Sequence, residues 1–159
     1  MGTTTFTGPI KAGDVLNTTG TTVGSLKNVG TVVTTQSSAV TQATNGTVAG
    51  LYTTAIVIPA GSQILSIKLY VTTVWDGAAA TFNVGTSATA TELAVAATAT
   101  NTGAAVGIVE VLPGTDATRT GRWIDVGTTD VRIYVLSTNT GAGVGALSVT
   151  YVQAVDLTP

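Results

Sequence analysis

The chain has no cysteine and no histidine. Without cysteine there are no disulfides and no thiolate zinc sites. Without histidine there is no imidazole metal ligand, no histidine acid/base and no Ser-His-Asp triad. Charge is also scarce, at 9% of residues against about 25% in an average globular domain. Only six residues are basic, and Lys11, Lys27, Lys68, Arg119, Arg122 and Arg132 are scattered rather than clustered. A phosphate backbone needs a basic face, so nucleic acid is not an expected partner. Aromatic residues make up 5%. No apolar run approaches the roughly 20 residues of a membrane helix, so no membrane partner is expected. The first residues have neither the basic start nor the apolar core of a signal peptide, and Phe6 stands where a myristoylation motif needs Ser or Thr.

Threonine fills the space that charge leaves, at about one residue in five, with glycine, alanine and valine beside it. Thr and Val are β-branched, stiff at χ1, and suited to a pleated surface. Thr can face water through its hydroxyl or pack on its methyl, so a Thr-rich surface is soluble without charge. With 44% hydrophobic residues and a net charge of −2, the chain is not of disordered composition. Its 159 residues suit one domain that buries its own core.

Two regions follow from the pattern. Residues 1–28 are broken by Gly8-Pro9, Gly13-Asp14, Asn17, Gly20 and Gly24, with sparse apolar anchors. They read as an extended N-terminal arm, alone or with one short strand, against the simpler reading of a frayed terminus. Residues 29–159 read as a β-sandwich domain. Strands are predicted at 29–36, 55–58, 63–73, 81–85, 106–112, 122–126, 131–137 and 146–155, with a weaker one near 48–53. In 63–73, Leu65, Ile67, Leu69 and Val71 alternate with Ser66, Lys68, Tyr70 and Thr72, the period of a half-buried strand. Pro59-Ala60-Gly61-Ser62 and Asp76-Gly77 read as turns. Residues 37–50 read as mostly loop, and 92–97 as either one helical turn or a strand. Many short strands, regular turn signals and no long helix point to an antiparallel β-sandwich of jelly-roll type.

Chemistry without His or Cys would fall to carboxylates. Asp14, Asp76, Glu92, Glu110, Asp116, Asp125, Asp130 and Asp156 are the acids. A pair of them could hydrolyse a glycoside. Most stand beside Gly or Thr, where Asp bonds local backbone in turns, and that reading is preferred. Asp116, Asp125 and Asp130 share one loop-rich stretch and are the candidates for calcium, without EF-hand spacing. Trp75, Trp123 and Tyr52 are the aromatics that a sugar could stack on, against the simpler reading of packing residues. No catalytic residue, cofactor or metal is assigned.

Several segments carry a resemblance. They are Thr-Phe-Thr-Gly-Pro-Ile-Lys-Ala-Gly at 5–13, Asn-Val-Gly-Thr-Val-Val at 28–33, Ile-Val-Ile-Pro-Ala-Gly-Ser-Gln-Ile at 56–64, and Asp-Val-Gly-Thr-Thr-Asp-Val-Arg-Ile-Tyr-Val at 125–135 with the Ser-Thr-Asn-Thr-Gly-Ala-Gly after it. In these the chain resembles small β-rich virion proteins of tailed bacteriophages, notably capsid decoration (cement) and head-surface proteins of marine and cyanobacterial phages. The resemblance implies a structural protein on the outer surface of a virion capsid. Its implied partners are the major capsid protein and further copies of itself, a trimer being the expected homo-oligomer. The arm residues Phe6, Pro9, Ile10, Val15 and Leu16 would be the capsid contacts. A phage adhesin or fibre-tip module that binds a host surface glycan is the alternative.

Overall fold

In the computed structural model the described residues are 32–77, 79–96 and 102–153. The arm predicted over 1–28, with Phe6, Pro9, Ile10, Val15 and Leu16, lies outside them. These described residues form seven strands: β1 (Val32–Thr41), β2 (Leu51–Ile58), β3 (Gln63–Thr73), β4 (Phe82–Gly85), β5 (Gly107–Val111), β6 (Val131–Ser137) and β7 (Val144–Gln153). One helix, α1 (Ala117–Ile124), stands between β5 and β6.

The strands form two sheets, in the orders β1-β7-β3-β5 and β2-β6-β4. The pairing is nested. β1 lies beside β7, β2 beside β6, and β3 beside β5. At the centre of the nest, β4 meets the segment after it through an antiparallel bridge, Val84 to Ala94. The Ala94 and Leu93 N–H groups both donate to the Val84 carbonyl, and the Val84 N–H donates back to the Ala94 carbonyl. The chain is thus one long hairpin folded over on itself. Folding over adds the further pairs β3 with β7 and β4 with β6.

The core lies between the two sheets. Ile67, Leu69 and Val71 of β3 and Leu147, Val149 and Tyr151 of β7 face Ile56 and Ile58 of β2, Phe82 and Val84 of β4, and Ile133 and Val135 of β6. Alternation in the sequence identifies these inward residues because successive strand side chains point to opposite faces. Leu65 breaks the pattern: Ile64 is buried and Leu65 exposed. The β3–β7 register shifts between Ile64 and Ser66, and the bulge turns the strand over by one residue.

Several boundaries differ from the sequence reading. The predicted strand at 122–126 is instead the end of α1 and the turn after it. Asp116 caps this helix, its carboxylate accepting the Arg119 N–H at 2.9 Å, and Trp123 faces the core from the last turn. The short alternation of Trp123, Ile124, Asp125 and Val126 imitates a strand over too few residues to tell the periods apart. Strand β1 also runs on to Thr41, through residues read as loop. Its polar side chains have partners across the fold. Gln36 exchanges two hydrogen bonds with the Val57 backbone, and Ser38 accepts the Ala55 N–H. These contacts serve the outer backbone of β2, where its register with β6 shifts. The turn at 59–62 forms as read: the Ser62 N–H donates to the Pro59 carbonyl, with Gly61 at the third position at φ +67°. That backbone conformation favours glycine.

Candidate functional site

The residues singled out for chemistry are spent on the fold. Asp116 caps α1. Asp125 accepts the Gly127 N–H at 2.8 Å, and Asp130 accepts the Ala60 N–H at 3.0 Å. The three calcium candidates therefore serve three separate backbone turns. Among the described residues no three His, Cys, Asp or Glu side chains gather as metal ligands. Asp76 accepts the Ala142 N–H at 3.0 Å. Arginines act in the same way on carbonyls: Arg119 on Pro113, Arg122 on Val126, and Arg132 on Thr54. Among the described residues the one ion pair is Arg119 with Asp116, at 3.8 Å.

Glu92 closes the loop that follows β4. Its carboxylate accepts from the Thr86 N–H at 3.0 Å and from the hydroxyls of Ser87 and Thr89. Partial burial pushes its pKa up. Hydrogen bonds from Ser87, the backbone and Thr89 outweigh that and hold it below the ordinary glutamate range. Asp14 and Asp156 lie outside the described residues. Glu110, on β5, stands opposite Lys68 of β3 at the surface.

The aromatic candidates also point inward. Trp75 is buried, its ring 5.1 Å from Phe82 at a tilt of 60°. Trp123 is half-buried, and its indole N–H donates to the Leu93 carbonyl at 3.0 Å. Tyr52 packs on the core from β2. All three are thus engaged in packing, Trp75 fully and Trp123 and Tyr52 in part.

A polar node that sequence reading placed in a loop holds one end of the sandwich. Gln42 is fully buried, and its side-chain amide donates to the Asp76 carbonyl at 2.6 Å. Its carbonyl oxygen accepts the N–H groups of Asp76 and Gly143. The backbone of Gln42 also donates to Gly143. Gln42 therefore ties the end of β1 to the loops that enclose Trp75.

What the molecule offers outward is neutral surface. Thr35 and Thr150 hydrogen-bond across β1 and β7 at 2.9 Å, and Thr81 and Thr138 do so at 2.7 Å. Threonines satisfy one another there without charge. Apolar side chains are also exposed at and beside β5, which ends its sheet. Val106 is 65% exposed, Ile108 66% and Leu112 42%. Tyr70, the register partner of Ile108, is 40% exposed. A groove of about 450 Å³ runs along this edge, lined by Thr102, residues 104–110 and Leu112. Sequence reading found the strand but not its place at an edge, because strand order is not written in local periodicity.

No protein-family model matches the chain, and no curated protein does. Among solved structures, a chain described as "Cyanophage Pam1 capsid asymmetric unit" is similar, with a TM-score of 0.48 and 21% sequence identity over 87% of this chain and 96% of that one.

Proposed function

We propose that this chain is a structural virion protein that binds the outer surface of a phage capsid as a decoration or cement protein and stabilises the shell. One observation carries the proposal: among the described residues every carboxylate but Glu110 is committed to a turn, a loop or a helix cap, and the outward strand faces are rich in threonine and poor in charge. Such a surface suits close packing of many copies, since it avoids like-charge repulsion between neighbours. The segment resemblances to phage head proteins support the same reading. So does the nested strand order, which we read as a jelly roll, with the segment at Ala94 as the eighth strand beside the seven named. Jelly rolls serve capsids and lectins alike, so the fold by itself does not choose between shell and sugar. The positions of Trp75, Trp123 and Tyr52 weigh against the adhesin alternative. In this reading the chain has no catalytic role, and its partners are the major capsid protein and other copies of itself. The arm over 1–28, with Phe6, Pro9, Ile10, Val15 and Leu16, supplies shell contacts.

Co-sedimentation with undecorated phage shells tests this. Neutral contacts are screened little by salt, so the bound fraction should change less than about twofold between low and high salt. Deleting residues 1–28 should weaken binding while the sandwich still folds. Full binding by the truncated protein would remove the arm from the proposal, and no binding by the whole chain would remove the shell.

A further inference from the structure

The four outer strands of the two sheets are not treated alike. In the second sheet, β2 has its exposed backbone served by Gln36 and Ser38, and β4 is covered by the segment at Leu93 and Ala94. In the first sheet, β1 and β5 are the two ends of the order: β1 lends Gln36 and Ser38 to β2, and β5 has no further strand beside it among the described residues. An open edge is normally blunted by lysine, proline or a bulge, because its free N–H and C=O groups pair with any strand that arrives. This edge instead carries Val106, Ile108 and Leu112, all exposed, and one charge, Glu110. Exposed apolar residues along an unpaired edge mark an interface.

The sequence of the edge, Val-Gly-Ile-Val-Glu-Val-Leu over 106–112, says what fits it. Two copies aligned antiparallel about a twofold axis at Val109 bring Val106 opposite Leu112 at both ends of the ladder. Val109 then faces Val109, and Gly107 faces Val111. Gly107 has open space where a β-carbon would be, which leaves room for the opposing valine. Ile108 comes opposite Glu110, so no like charges are directly opposed, and each Glu110 keeps Lys68 as its neighbour on its own sheet. We propose that β5 is a self-association edge: two copies of this chain pair through it and join their first sheets into one of eight strands. Residue i meeting j while j meets i is the signature of a twofold contact. The threefold arrangement expected with the phage-protein resemblance would need two different patches, and this edge complements itself.

The test uses the full chain without shells, so it stands or falls separately from shell binding. Sedimentation velocity over a concentration series should show a monomer–dimer equilibrium. Ile108→Lys, at an exposed position, should raise the midpoint concentration at least tenfold while circular dichroism remains unchanged. In a chain with no cysteine of its own, Val109→Cys should form a disulfide-linked dimer on mild oxidation, because facing residues in an antiparallel pair lie within disulfide reach. Thr35→Cys, on β1, should cross-link far more slowly. A monomer at every concentration overturns the proposal. So does an oligomer of any size that Ile108→Lys leaves intact, or a Val109→Cys variant that cross-links no faster than Thr35→Cys.

Discussion

Glu92 and Trp75 show two ways in which single side chains hold this fold. Trp75 is enclosed by glycines: a β-carbon at Gly143 would come within 2.2 Å of its indole, and one at Gly103 within 2.6 Å. Aromatic bulk and missing side chains are complementary here, and cores tolerate little added volume. Sequence reading assigned Trp75 to packing correctly, but the glycines that house it are distant in the chain and gave no signal. Glu92 works by hydrogen bonding. Its pKa is depressed in the folded state, so its contribution is fully present above the ordinary glutamate range and is lost as pH falls through the folded value. Glu92→Gln should therefore lower stability at neutral pH and flatten the loss of stability on acidification from about pH 6 to about pH 3. Urea denaturation of both proteins across that range measures this. Parallel acid limbs for the two would show that Glu92 does not hold the loop as its hydrogen bonds indicate.

At the scale of elements, the strands with sustained alternation were legible and the rest were not. β3 and β6 fall where the sequence places them, since seven or more residues of period 2 leave little ambiguity. β1 was cut short because its polar residues look like loop. In the structure Gln36 and Ser38 replace the strand that β2 lacks on its outer side, a function invisible to a hydropathy pattern. α1 is hard to read because its eight residues are too few to separate a helical period from the strand-like alternation of Trp123 to Val126, and they include Gly121 and two threonines, which are weak helix formers. Its start was nevertheless written in Asp116, whose carboxylate takes up a free N–H of the first turn. Asp116→Ala should shift the urea denaturation midpoint to lower concentration, the usual direction on losing a helix cap. Asp116→Asn should recover most of that shift, because the cap requires an acceptor rather than a charge. Equal losses in the two variants would point to the nearby Arg119 charge instead.

At the scale of the whole molecule, composition excluded more than it identified. The absence of His and Cys excludes imidazole and thiol chemistry, and the few charges are spread along the chain. The regular turn signals led to a two-sheet β-sandwich, as the structure has it. Strand order, and with it the place of β5 at the end of its sheet among the described residues, is not legible, because pairs such as Ile67 with Val111 and Val71 with Gly107 join distant parts of the chain and leave no local trace. The neutral surface and the self-complementary edge bear on the same role from different sides: the surface suits packing against a shell, and the edge suits joining copies. Cryo-electron microscopy of undecorated phage shells incubated with the purified chain decides whether it binds there. Added density is expected at symmetry-related positions on the outer surface, into which the sandwich of β1 to β7 fits. Shells that stay bare beside free, folded protein would contradict the proposed role.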